Sequence, residues 1–151
     1  MKDAPPENEA RKDWMGLLAK APEGRVAARL EALGVQPGFT WLREPEIGSV
    51  MVRGRTGATG APFNLGEMTV TRCALRLEDG TVGHAYIKGR RKGCAEAAAL
   101  VDALMQTHRA EEMRSGLLDP LRMELAEAKT ARLAKACATK VDFFTMVRGD
   151  D

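Results

Sequence analysis

The sequence predicts a single α+β domain over residues 1–151, and three observations carry that prediction. Apolar residues recur with a helical period at both ends of the chain, the middle alternates between apolar and polar, and the two switches fall near Gly38 and Gly93. A chain of 151 residues is also long enough to bury one hydrophobic core without help from disulfides or metals. With 44% apolar and 29% charged residues, the composition is that of an ordinary folded protein, which excludes collagen-like, disordered and disulfide-scaffold classes.

Two N-terminal helices come first. Trp14, Leu17, Leu18 and Ala21 are spaced as one buried stripe, predicting a helix over residues 8–20. Pro22 suits a first helical position, and Val26, Leu30 and Leu33 mark a second helix that Gly34 stops. A four-stranded antiparallel meander follows, with strands near 39–43, 47–55, 66–77 and 81–89 and a tight Asp79-Gly80 hairpin turn between the last two. In the third strand Met68 and Val70 lie on one parity while Cys73, Leu75 and Leu77 lie on the other, which predicts a bulge near Thr71 and Arg72.

Two C-terminal helices complete the plan. Ala97, Leu100, Val101, Leu104 and Met105 form the clearest apolar stripe, in a helix expected to end at Ser115-Gly116. Asp119-Pro120 then opens a fourth helix reaching about Ala138. Its apolar arc holds Leu118, Leu121, Leu125, Ala128 and Ala136 but also Lys129 and Arg132, so part of it is expected to meet another chain. The apolar tail places Val141, Phe143, Phe144 and Met146 after the last helix, where exposed termini are normally polar. Either a final strand or arm on the same molecule or a partner chain is expected to cover it.

Charge and cysteine usage narrow the class of function. Lys plus Arg number 23 against 21 Asp plus Glu, a net +2 that is too small for nucleic-acid binding by bulk charge. The three cysteines, Cys73, Cys94 and Cys137, are odd in number and widely spaced, which argues against a disulfide framework. The start lacks the apolar stretch of a secretory signal, and no window approaches the roughly 20 apolar residues of a membrane span, so a cytoplasmic, non-membrane protein is expected. Residues 43–92 hold nine basic and five acidic side chains, +4, and leave the flanks with 14 and 16, −2; the positive surface belongs to the strands.

Within those strands, Arg53 and Arg55 share a face by the two-residue period and lead into a loop with Gly57 and Gly60. Two guanidinium forks beside exposed backbone N–H groups suit a phosphate or phosphonate, while a hairpin loop with solubilising arginines accounts for the same residues. The loop is not a Walker A motif and does not open a helix as a dinucleotide fingerprint would. Gly57-Ala-Thr-Gly60 has the GXXG form of KH domains, but here it lies between strands. Asn64, Glu67 and Arg72 follow on the next strand, where Asn64 is also a simple turn former, and His84 and Tyr86 share a strand face. Cys73, His84 and Cys94 stand ten or eleven residues apart, unlike compact zinc motifs, so no metal site is predicted. No nucleophile, base and carboxylate arrangement stands out, and no catalytic residue is assigned.

The run Arg53-Gly-Arg-Thr-Gly-Ala-Thr-Gly-Ala-Pro-Phe-Asn-Leu-Gly-Glu-Met-Thr-Val-Thr-Arg72 resembles the signature of the PhnG family, the small G subunits of the bacterial carbon-phosphorus lyase system. Arg11-Lys-Asp-Trp-Met15, Gly83-His-Ala-Tyr-Ile-Lys-Gly-Arg90 and Lys140-Val-Asp-Phe-Phe-Thr-Met-Val-Arg-Gly149 are similar to that family too, in order and across nearly the whole chain. The resemblance implies an accessory subunit of a core complex with the H, I and J proteins, the L and K proteins being further possible partners. With H, I and L it implies a part in moving ribose triphosphate from ATP onto a phosphonate, with adenine leaving and ribose carbon 1 becoming linked to the phosphonate. ATP is then a substrate of the complex, and no cofactor is expected on this chain. The alternative from a different class is a free-standing nucleotide- or RNA-binding module built on the Arg-Gly loop and Arg90-Arg91-Lys92. Sheet-type RNA binders stack bases on strand aromatics, and only Trp41 and Tyr86 are available, which favours the subunit.

Overall fold

The computed structural model describes residues 6–141. Helices α1 (Pro6–Ala19) and α2 (Arg25–Ala32) lead into strands β1 (Phe39–Arg55), β2 (Pro62–Leu77) and β3 (Val82–Lys88). The strands form one antiparallel sheet of order β1-β2-β3. Helices α3 (Lys92–Leu104), α4 (Ala110–Met113) and α5 (Asp119–Ala138) follow. The α+β class and the chain order of helices, strands and helices are as expected, but element bounds and strand number differ. The N-terminal helices run over Pro6–Ala19 rather than 8–20, and over Arg25–Ala32 rather than up to Leu33.

The sheet has three strands where four were expected, because the first two expected strands are one. Between the pairs Arg43↔Ala74 and Glu46↔Arg72, β1 advances three residues while β2 advances two. That bulge holds Pro45, which cannot donate to a ladder and is tolerated on an edge strand at such an irregularity. The bulge expected near Thr71 and Arg72 therefore lies in the strand facing them. On β2, Thr71, Cys73, Leu75 and Leu77 are all buried on one parity, and Val70 is buried on the other.

The C-terminal helices also divide differently from the expectation. The third helix stops at Leu104 instead of Ser115-Gly116, where Thr107 Oγ1 donates to the Leu104 carbonyl at 2.7 Å and accepts the Arg109 N–H at 3.2 Å. Helical backbone then runs from α4 through a π turn (Arg114–Leu118) directly into α5. Gly116 does not end this run; a Cβ there would come within 2.8 Å of Leu33 Cδ2, so the glycine lets α2 and the π turn approach. Pro120 falls in the first turn of α5, where its missing N–H is tolerated.

The core lies between the inner face of the sheet and α3, with α1, α2 and the π turn around it. Leu75, Ile87, Val101 and Leu104 are among its most buried side chains, and α3 offers mainly alanines to the strands. Small side chains bring helix and sheet close together. At Gly83 the approach is so tight that a Cβ would collide with the Ala99 carbonyl, so no larger residue fits without moving α3.

One buried carboxylate ties three elements together. Asp102 on α3 is fully buried and accepts Arg11 Nε at 3.1 Å and Arg11 Nη2 at 2.7 Å from α1. It also accepts the Trp14 indole N–H at 2.9 Å and the backbone N–H of His84, on β3, at 2.9 Å. Arg11 Nη2 and Gln106 Nε2 both donate to the Val82 carbonyl, which occupies the outer edge of β3 at that point. A second node holds the turn after β3: buried Thr71 donates to the Gly89 carbonyl at 2.6 Å and accepts the Arg91 N–H at 3.0 Å.

Beyond these nodes the sheet changes character. Strand β3 pairs with β2 only between Val70 and Arg76, so the rest of the β1–β2 hairpin stands off the body as a two-stranded arm. No residue in 42–69 joins the hydrophobic core.

Replacing Asp102 with Ala strips the acceptor from a guanidinium, an indole and a backbone N–H together. A loss of about 3–5 kcal/mol is expected, the scale of breaking a buried ion pair from one side. It should appear as a lower urea midpoint at unchanged slope, and a loss below about 1 kcal/mol would contradict the keystone role. Gly83→Ala is expected to cost about 1–3 kcal/mol in the same assay through overpacking.

Candidate functional site

The sheet register sorts the candidate residues onto two faces. Opposed residues of an antiparallel pair share a face, so the pairs Met51↔Glu67 and Arg53↔Asn64 place Arg53, Asn64 and Glu67 together on the arm, with Arg55 next on that face by alternation. This arm face continues the helix-covered side of the sheet, through Ile47↔Thr71. Arg72 and Tyr86 are paired on the opposite, uncovered face, and His84 is next to them, opposite Ala74. Asn64 and Arg72 are also eight residues apart along β2, roughly 25 Å. The candidates thus form two separate groups.

At the arm tip the loop closes on itself. Gly57 and Ala58 both take left-handed backbone angles, at φ 56° and 66°. The Gly60 N–H donates to the Thr56 carbonyl at 2.9 Å, and a Cβ on Gly60 would come within 2.7 Å of that oxygen. Arg55 Nη1 donates to the Gly60 carbonyl at 3.0 Å. Gly60 and Arg55 therefore spend their hydrogen bonds on the turn, whereas Arg53 makes no ion pair among the described residues.

On the uncovered face Arg72 Nε donates to Glu46 Oε1 at 2.6 Å, and Arg43 lies 3.5 Å from the same oxygen. Arg72 is thereby neutralised by a carboxylate from the neighbouring strand. Tyr86 is 47% exposed. His84 and Tyr86 also border a groove of about 470 Å³ between the edge of β3 and α1, which contributes Asn8, Arg11, Lys12 and Met15. Arg11 is committed to Asp102, which leaves Lys12 as the exposed cation of this groove.

A second cavity, of about 290 Å³, lies where the start of α3 meets the start of α2, bordered by Pro22, Gly24, Arg90, Arg91, Lys92 and Cys94. Arg91 is structural there: its Nε donates to the Lys88 carbonyl at 3.2 Å and its Nη1 to the Ala21 carbonyl at 3.4 Å. Sequence reasoning missed this role, as it missed Arg11, Trp14 and Asp102, because the partners are far apart in the chain. Two arginine-containing segments followed by a buried acid in an alanine-rich helix were the available signal.

Trp41 does not present a stacking surface, since it packs against the core edge-to-face with Phe39, centroids 4.9 Å apart at 78°. Neither histidine side chain is hydrogen bonded to a nucleophile among the described residues. No group of three His, Cys, Asp or Glu there could hold a metal ion. No described helix is long and apolar enough to cross a membrane. Lys129 and Arg132 are exposed on α5, where Leu121 is the buried residue, and Val141 is exposed beyond it. Phe143, Phe144 and Met146 lie outside the described residues.

A small α+β body that projects a two-stranded arm and keeps its buried polar groups for its own scaffold has the build of a binding or assembly protein. The chain matches the family described as phosphonate metabolism protein PhnG over residues 9–149, and it belongs to that family. It is 41% identical over 141 residues to the Rhizobium meliloti (strain 1021) protein named alpha-D-ribose 1-methylphosphonate 5-triphosphate synthase subunit PhnG, covering 93% of this chain and 90% of the relative.

The cysteines give a direct check on burial. Cys73 is buried, and desolvation, with a smaller contribution from Glu96, pushes its thiol up to about 11, so it stays protonated at neutral pH. Cys137 is exposed. Iodoacetamide at pH near 8 should modify Cys137 first and leave Cys73 intact until the protein unfolds, as read by peptide mass spectrometry. Because the Cys73 pKa is raised on folding, its contribution to stability is complete below about 9 and is lost as pH rises through about 11. At the arm tip, Arg55→Ala and Arg55→Lys should both speed exchange of the Gly60 amide, since neither restores the guanidinium contact, while Arg53→Ala should leave it unchanged.

Proposed function

We propose that this chain is an accessory, non-autonomous subunit of the enzyme that transfers ribose 5-triphosphate from ATP to a phosphonate during organophosphonate catabolism. The observation that carries this reading is the 41% identity, over 93% of the chain, to a relative named as a subunit of that synthase. In the reaction adenine leaves ribose carbon 1 and an oxygen of the phosphonate takes its place. The partners are the H, I and J subunits, with the L and K proteins as further contacts, and the assembly works in the cytoplasm. ATP is a substrate of the assembly, and this chain carries no cofactor of its own. Its contribution is surface: the arm face with Arg53, Arg55, Asn64 and Glu67, and the open face with Arg72, His84 and Tyr86. Trp41 is partly buried against Phe39, and the exposed strand aromatics, Tyr86 and Phe63, stand far apart on the sheet, which weakens the case for an RNA-binding module.

The test is omission. The remaining subunits produced without this chain should lose adenine release from ATP in the presence of methylphosphonate, and adding the purified chain should restore it. Full release in its absence would overturn the proposal.

A further inference from the structure

The arm carries an apolar face that the rest of the molecule leaves uncovered. Val50↔Met68 and Val52↔Gly66 put Val50, Val52 and Met68 on the same side as the open face of the sheet. Between Val52↔Gly66 and Arg53↔Asn64, β2 advances two residues while β1 advances one, so a bulge at Leu65 switches the parity of β2. The switch brings Phe63 and Leu65 onto that same side; a Cβ on Gly54 would lie 3.6 Å from the Phe63 ring and 3.8 Å from Leu65 Cβ. Phe63 is 44% exposed and Leu65 66% exposed. A two-stranded hairpin is marginal in water by itself, and this one has no third strand or core beneath it.

We propose that this stripe, Val50, Val52, Phe63, Leu65 and Met68, docks onto a different subunit, against an apolar surface rimmed with carboxylates. The inference rests on the accessory-subunit reading and adds the surface by which that subunit is held. Charge selects the occupant. The two-stranded part carries Arg53 and Arg55 against the single carboxylate of Glu67, and the segment 43–92 to which it belongs has a net +4. Lys88 flanks the stripe at the root on the same face, where Arg72 is already paired with Glu46, and Arg53 and Arg55 stand at the tip on the reverse face of the arm. Pairing two copies head to tail along their arms would bring Arg53 and Arg55 at one tip toward Lys88 at the other root, whereas an acidic rim on another protein complements both ends.

The experiment uses the co-expressed synthase subunits, with an affinity tag on a subunit other than this one, and measures how much of this chain is retained. Leu65→Glu and Phe63→Glu should reduce retention about tenfold or more, because each places a charge in the buried centre of the contact. Met123→Glu puts the same charge at a 65% exposed site on α5, away from both faces of the arm, and should be retained like the unaltered chain. All three variants should melt at the unaltered temperature, since none touches the core. Normal retention of both stripe variants, or equal loss with Met123→Glu, would overturn the docking face. A homodimer of the isolated chain that Leu65→Glu dissociates in sedimentation velocity would overturn the choice of occupant. If the unaltered chain itself is not retained, the accessory-subunit reading falls along with the docking face.

Discussion

The body of this protein is organised around a charge that water cannot reach. Ionised Asp102 inside an apolar helix is stable only if every lone pair is answered, and the answers come from α1 and β3 as well as from its own charge partner. The same residue therefore decides where the first helix lies and how far α3 slides along the sheet. An apolar residue in its place would satisfy the helix but would leave the Trp14 indole, the Arg11 fork and the outer edge of β3 to find other acceptors. Gly83 then sets the distance: the helix can descend to the strand because nothing projects between them. Polar registry and close packing act on neighbouring residues of β3, and each constrains the other.

Stability and the proposed contact surface are separated in space. The buried side chains sit between α3 and the inner sheet face, while the arm lies outside that set. Substitution along the arm can change what is recognised without weakening what holds the fold, which is the arrangement expected of a rigid body with an interaction element grafted onto it. The uncovered half of α5 has the same character: residues 126–141 are all exposed, so this helix continues well past the residues that anchor it.

The class of fold was readable because period is local. Ala97, Leu100, Val101 and Leu104 declare one face of α3 within two turns, and the change to alternation near Gly38 needs no knowledge of partners. The strand number was misread at Pro45, which resembles a break in the chain but is absorbed by a bulge against β2, a feature visible only once the opposing strand is known. Ser115-Gly116 misled in the same way, because the glycine makes room for Leu33, the residue that caps α2. Arg53, Asn64 and Glu67 could be listed from the sequence, but their common face depends on a register and a second bulge. The family resemblance proved more informative than its motifs first implied: the segments beginning at Arg11 and Gly83, distant in the chain, supply three of the groups that meet Asp102.

The arm also bears on how such a chain can be produced in a cell. Beyond Thr69, whose carbonyl accepts the Gly89 N–H, both of its edges present unpaired backbone donors and acceptors beside apolar side chains, the combination that templates strand-to-strand aggregation. Few charges interrupt it, and Pro62 lies at the very end of its strand, so little along its length blocks such pairing. A chain synthesised in excess of its companions would meet its own kind before it met them. Balanced supply of the subunits is therefore a physical requirement written into this hairpin, independent of any demand set by catalysis.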